Sequence, residues 1–450
     1  MKTMELSIEV CYNTQISNVH NGVMNLKLEP VFKNLGNGVF ACCITTDKFK
    51  SSRFSVSFIL PKTYDRVAAE HLIAGLMTDS CEEYPDFVGF GRKLAMLYGA
   101  SVSGDVVNLG DCHAVRFSVS CLADRFALGG EKITRECAEL LYSMIFKPNF
   151  VDGVFAQDEF YNEKRQLIES AEGIINDKIK YAFSRARQLM CPDEPFGMPE
   201  AGGLERINAL TNEAAAEALR NMLRTAPVYL SFIGPDEPSE VLSVFTRCLN
   251  KLDGEIVPVT SSTLISAQGS IRSYLEKMDV AQSKLVIGMR SGIGMRDSQS
   301  EALRVAVDIL GGGVYSLLFT NVREKMSLCY YCSAKLSALK GIVFVESGVE
   351  ADRADEAREA ILKQLDDVKN GDFSSEILEF SKLSFSNLLK TLYDSPSAID
   401  TWYFMRCFDG SVASLDGYSS AISCVSREDV IKAANCIVPD TVYLLTGKED

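Results

Sequence analysis

TNEAAAEALRNMLRTAPVYLSFIG, residues 211–234, and SREDVIKAANCIVPDTVYLLTG, residues 426–447, carry the same pattern twice. Each opens on a hydroxyl residue, Thr211 or Ser426, with an acid two places on, Glu213 or Glu428. The hydroxyl can satisfy free amides at a helix start, and the acid suits the positive end of the helix dipole. Each then passes through a helix into a short strand, Val228-Tyr229-Leu230 or Val442-Tyr443-Leu444, and stops at a glycine, Gly234 or Gly447.

Working outward, further landmarks recur in the same order. Ala69, Leu72, Ile73 and Leu76 fall at i, i+3, i+4 and i+7, the stripe of an amphipathic helix, and Leu303, Ala306, Val307 and Leu310 repeat it. The later helix carries its own start signal, the capping box Ser298-x-x-Glu301. Strands follow each: Val115, Phe117 and Val119 alternate with Arg116, Ser118 and Ser120, and the second half has IVFVESG. KPNF, ending at Phe150, and KNGDF, ending at Phe373, mark equivalent turns. The paired landmarks stand 234, 223 and 214 residues apart, a one-way drift expected if the first copy has the longer loops. The pattern predicts an α+β protein of two duplicated sandwich halves. The first half spans residues 1–252 and the second 278–450, with residues 253–277, Ser/Thr-rich and aperiodic, as a linker.

Composition bounds the function. Hydrophobic residues make up 47% and charged residues 24% of the 450, enough for large cores and too apolar for disorder. Forty-six basic against 60 acidic residues give a net charge of −14. Such a surface repels phosphate backbones and anionic lipid, so neither nucleic acid nor a membrane is an expected partner. MKTMELSIEV carries Glu5 and Glu9 where a signal peptide needs an apolar run, and no apolar run reaches membrane-spanning length. The fourteen cysteines are scattered, mostly within apolar stretches, which suits buried thiols in a reducing, cytoplasmic compartment. Cys329-x-x-Cys332 lies in a strand-like stretch, LCYYCSA, with no second pair to complete a zinc site, and reads as structural.

LGGGVYSLLFTNVREKMSLCYY, residues 310–331, and PFGMPEAGGLERINALT, residues 195–211, resemble the pitrilysin/insulinase-type metallopeptidases, and the resemblance runs over nearly the whole chain. It implies two α+β halves enclosing a chamber, in agreement with the repeat. It also implies zinc held by H-x-x-E-H on the first helix with a distal glutamate, the glutamate of the motif acting as general base. The matching segment here is His71-Leu72-Ile73-Ala74-Gly75. The first histidine stands. Ala74 replaces the base and Gly75 the second histidine, on a face opposite the core stripe. Glu169, in EKRQLIES, matches the distal glutamate loosely. The chain has three histidines, His20, His71 and His113, and neither of the other two lies at metal spacing from His71. No metal is therefore expected in this chain.

Gly311-Gly312-Gly313 has no Lys-Ser/Thr after it, so it is not a phosphate loop; it reads as a helix C-cap in the left-handed conformation, and the resemblance implies a flexible turn lining the substrate chamber, which is compatible with that. In the family, an arginine and a tyrosine seven places later reach the active site from the second half; here these are Arg323 and Tyr330. A guanidinium fork can bind a peptide carbonyl or carboxylate, and a phenol can donate to a developing oxyanion. Strand alternation turns Tyr331 to the other face. Some bacterial members work as pairs in which one chain holds zinc and the other supplies this arginine and tyrosine. The resemblance thus implies a non-catalytic subunit, inactive alone, with a homologous zinc-bearing partner and peptide substrates. Two other readings stay open. YDSPSAIDTWYFMR, residues 393–406, resembles a subgroup associated with modification of elongation factor P by 5-aminopentanol, which would make the chain a pseudoenzyme scaffold. A stand-alone peptidase with an atypical site is the third.

Overall fold

The computed structural model describes residues 28–249, 254–260, 262–267, 269–411 and 414–447. The N-terminal stretch read for a signal peptide, His20 and the half boundary at Leu252 lie outside them. The chain forms two compact units. One comprises the residues up to Ala171, Glu200–Thr260 and Tyr393–Val412; the other comprises Glu172–Pro199, Ser261–Leu392 and Ala413–Asp450. Each unit thus takes in a segment from beyond its own stretch of chain, which a linear division at 252 and 278 does not express.

The first unit holds β1 (Val31–Gly36), β2 (Val39–Thr45), β3 (Ser51–Pro61), β4 (Ser101–Leu109), β5 (Cys112–Leu122), the short pair β6 (Phe150–Val151) and β7 (Val154–Phe155), and β8 (Val228–Gly234). Its main sheet runs β1-β2-β8-β3-β5-β4, with β2 and β8 parallel and the other pairs antiparallel. The second unit holds β9 (Arg272–Lys277), β10 (Ser283–Arg290), β11 (Cys329–Ser337), β12 (Ile342–Val349) and β13 (Val438–Thr446), in the order β11-β12-β10-β13-β9. Here β9 and β13 are the parallel pair. Read from the other edge, β9-β13-β10-β12-β11 repeats β2-β8-β3-β5-β4 strand for strand. Both parallel pairs join the first strand of a copy to the last, where Tyr229 and Tyr443 sit. The duplication is therefore a property of the fold.

Local physics explains the elements. Thr211 accepts from the Ala214 amide, and Ser426 from the Asp429 amide in a full capping box closed by Asp429. Ala69, Leu72, Ile73 and Leu76 are all buried, as are Leu303, Ala306, Val307 and Leu310. Three details differ from the sequence reading. The second stripe helix begins at Ser300 with Gln299 as an uncapped N-cap, so the Ser298/Glu301 box does not form. None of Gly311, Gly312 and Gly313 has a positive φ. Close approach requires glycine instead: a Cβ on Gly311 would lie 2.5 Å from the Ala334 amide nitrogen, and one on Gly312 2.0 Å from Asp308 Oδ1. Finally, the last six residues of the expected linker form β9, an edge strand.

The exchanged segments are tied in by polar chemistry. In the first unit, Arg53, Ser55 and Ser57 on β3 lie beside Ser118 and Arg116 on β5. The helix Pro396–Asp409 covers this polar face. The fully buried carboxylate of Asp400 accepts from Ser55 Oγ at 2.9 Å and stands 3.8 Å from Arg53 Nε and 3.7 Å from Arg116 Nη1. Arg116 also donates to Thr401 and lies 4.8 Å over the Phe404 ring. In the second unit, the helix Lys178–Met190 packs Phe183 edge-on against Phe344, and Glu194 just beyond it pairs with Arg290 at 2.6 Å and Lys340 at 2.8 Å.

Candidate functional site

The motif segment forms the helix Val67–Leu76. The core stripe places Leu72 and Ile73 against the first sheet, but the helix is buried on more than one side. Ala74 is only 4% exposed, so it does not stand on an open face opposite the stripe. The cause is β4, which crosses so closely that a Cβ on Gly104 would sit 1.8 Å from the Ala74 carbonyl oxygen. His71 donates from Nδ1 to the Val67 carbonyl at 2.8 Å. Its ring meets that of His113, on β5, edge-on at 5.7 Å. Burial, with His113 beside it, pulls the His71 pKa down from 6.5 to about 4. His113 donates from Nε2 to Glu70 at 2.8 Å, and both are buried.

A different carboxylate from the expected one covers the remaining gap. Glu169 is exposed and pairs with Arg165 at 3.5 Å on its own helix surface. Glu163 instead reaches the motif helix: a Cβ added to Gly75 would meet its Oε1 at 1.9 Å. Burial, then Asp79, raises the Glu163 carboxyl. The sequence held the signal for this choice. Phe160 is the buried anchor of the helix Gln157–Gly173, and position 163 shares its side whereas position 169 lies half a turn away. The arrangement does not fit a catalytic zinc. One imidazole remains on the motif helix, His113 is committed to Glu70, and no cluster of three metal-ligating side chains exists among the described residues.

The arginine and tyrosine sit on a segment built from two irregularities. Arg323 belongs to a π-helical stretch, Leu318–Lys325, closed by the Met326 amide donating to the Asn321 carbonyl at 2.9 Å. Such turns are scarce and cluster at functional sites. The Arg323 guanidinium lies 4.6 Å over the Phe319 ring and 3.6 Å from Glu324. Ser327 follows with φ 51°, its carbonyl held by Arg353 Nη1 at 3.1 Å. Tyr330 then occupies a β-bulge. Cys329 faces Val349 and Tyr331 faces Gly348, so Tyr330 is the extra residue. Bulges re-aim side chains, and Tyr330 is 62% exposed. Its hydroxyl donates to Glu350 Oε1 at 2.5 Å, which raises the phenol pKa. Tyr331 turns inward, its ring edge against Gly348. The structure thus presents Arg323 and Tyr330 from adjoining irregular elements, and gives Tyr330 an acidic partner that sequence spacing did not reveal.

Residues 209–384 match the family model described as the Peptidase M16 inactive domain. The family match over this stretch and the duplicated sheets set the chain beside the M16, pitrilysin-type peptidases, while residues 71–75 do not carry H-x-x-E-H. A "Probable inactive metalloprotease YmfF" of Bacillus subtilis is 26% identical over 417 residues, covering 93% of this chain and 98% of the relative. An "Uncharacterized zinc protease" of Rickettsia felis matches more narrowly, 22% identical over 40% of this chain and 42% of its own length. Among solved structures, a conserved protein from Enterococcus faecalis superposes with a TM-score of 0.87 at 24% identity, covering 94% and 99% of the two chains. A peptidase M16 inactive domain from Pseudomonas fluorescens gives 0.75 at 14%, covering 94% and 99%. Among the described residues, no helix is long and apolar enough to cross a membrane.

Proposed function

We propose that this chain is the non-catalytic subunit of a two-chain zinc peptidase, inactive alone, working beside a homologous partner with an intact H-x-x-E-H motif. The observation that carries the reading is the contrast between its two sites. The metal face has lost its base and second histidine and is filled by Glu163, while the Arg323–Tyr330 segment keeps both functional side chains on a specially shaped backbone. Arg323 would grip a substrate carbonyl or carboxylate, and Tyr330 would donate to negative charge developing on the scissile carbonyl oxygen. Without substrate the single phenol proton is donated to Glu350, and it would turn from that carboxylate to the developing oxyanion.

Purified alone, the chain is expected to hold no stoichiometric zinc and to cleave no peptide, measured by elemental analysis and a fluorogenic peptide panel. Mixed with the zinc-bearing partner it should support turnover. Removing one preorganised transition-state donor typically costs about 10²–10³ in rate, so Arg323→Ala and Tyr330→Phe should each lower turnover by that order with the complex intact on a sizing column. Full turnover with both substitutions in an intact complex would leave the pseudoenzyme scaffold as the better account.

A further inference from the structure

In a regular strand, residues i and i+3 point to opposite faces, so Cys329-x-x-Cys332 would hold its thiols apart. The bulge at Tyr330 cancels that. With one residue left out of the ladder, Cys329 opposite Val349 and Cys332 opposite Ser347 fall on the same face of β11. Both side chains are buried, and each thiol shifts the titration of the other, Cys329 down and Cys332 up. β11 is an edge strand of its sheet, so this pair lies at a margin. Arg323, on the π-helical stretch just before it, is the nearby cation.

We propose that Cys329 and Cys332 form a redox-active dithiol that a hydroperoxide converts to an intramolecular disulfide. The proposal stands independently of the peptidase reading. The reactive form of a cysteine is the thiolate, and here the two thiols are unequal. The Cys332 thiol, then Ser347 and Arg323, draw the Cys329 thiol down against the opposing effect of burial, while Cys332 is pushed up. Cys329 closely follows the stretch that carries the Arg323 cation, so Cys329 is assigned as the nucleophile and Cys332 as the resolving thiol. The Cys329 sulfur attacks one peroxide oxygen. An S–O bond forms, the O–O bond breaks, and the departing hydroxide takes a proton to leave as water (or as an alcohol from an alkyl hydroperoxide). The Cys332 sulfur then attacks the Cys329 sulfur. The S–S bond forms, the S–O bond breaks, and the hydroxide leaves with the Cys332 proton as water. Two electrons pass from the sulfurs to the peroxide. The new bond spans the bulge, so it ties down the backbone that carries Tyr330.

Trypsin releases both thiols in one peptide, residues 326–335, with no other cysteine in it. The full-length chain is treated with hydrogen peroxide, blocked with iodoacetamide and mapped by mass spectrometry without reduction. The expected result is loss of both alkylation sites in that peptide, with a mass lower by two hydrogens, reversed by dithiothreitol. Cys121 and Cys137, two buried thiols of the first unit, should stay fully reduced and serve as the internal control. In Cys332→Ser, the oxidation should stop at a sulfenic acid that dimedone traps on Cys329. Unchanged alkylation of peptide 326–335, over-oxidation of Cys329 without a disulfide in the unmodified sequence, or disulfides only between molecules would each overturn the proposal.

Discussion

His71 is a titratable group whose proton is unwelcome. Its Nδ1–H is spent on the Val67 carbonyl, and burial, His113 and Lys62 all disfavour a second proton. With a folded pKa near 4 against 6.5 for the free side chain, the unfolded chain binds more protons between those values. Stability therefore rises with pH through this window and is lost as pH falls below 6.5. The loss from this residue between pH 7 and pH 5 should be about 2 kcal/mol. Urea unfolding at the two pH values, compared with His71→Gln, measures it; an equal pH dependence in the variant would remove His71 as the cause. Gly75 offers a second test. Glu163 already stands over that position, and His71 keeps Nε2 available. Gly75→His should thus create two imidazoles one helical turn apart beside a carboxylate, and should gain zinc binding by calorimetry that the natural sequence lacks. Adding Glu163→Gln should weaken it by about 10-fold or more, the order expected when a supporting carboxylate is lost. No zinc uptake by Gly75→His would mean that this face has been reshaped beyond a relict metal site.

At the scale of elements, the regular pieces were readable and the irregular ones were not. The stripe helices and the strand ends at Gly234 and Gly447 follow from periodicity and capping, which are local. The bulge at Tyr330 and the π-turn at Arg323 depend on which strand lies alongside and what the loop packs on, so no spacing rule announces them. The same holds for His113 and Glu70, whose partnership needs β5 laid beside the motif helix. The helix Pro396–Asp409 shows how much one long-range contact decides. Its Asp400 carboxylate is the buried anion near both Arg53 and Arg116, and the Nε and Nη2 atoms of Arg116 already lack partners. Removing one member of such a buried pair leaves uncompensated charge, which typically costs 3–5 kcal/mol. Asp400→Ala should lower the unfolding free energy by about that amount in urea titrations followed by far-UV circular dichroism. A change within about 0.5 kcal/mol, as for an ordinary surface substitution, would show that the arginines find water when the carboxylate is gone.

For the whole molecule, the repeat implied two halves of one kind, because a duplicated sequence pattern folds twice by the same local rules, and both sheets share one strand order. It did not reveal that each unit takes a helix from the other stretch of chain, since these segments carry no mark of their destination. That exchange has a consequence for cutting the protein in two. A fragment of residues 1–260 lacks Pro396–Asp409, so the polar face around Arg53 and Arg116 loses Asp400, Thr401 and the Phe404 ring. A fragment of residues 261–450 lacks Lys178–Met190 and Glu194, which takes the Glu194 carboxylate from Lys340, leaves Arg290 with Asp440 and bares Phe344. Each fragment alone also uncovers apolar surface, and that favours aggregation. Expressed separately, both fragments should be insoluble or should unfold without a cooperative transition. Expressed together, they should co-purify through a tag on either one and recover a sharp thermal transition, because each supplies the helix the other unit needs. Cleavage in the intact protein between Gly254 and Gly269 should likewise leave the pieces bound until denaturant is added. A sharp, reversible unfolding transition in either fragment on its own would show that the borrowed helix is dispensable for that unit.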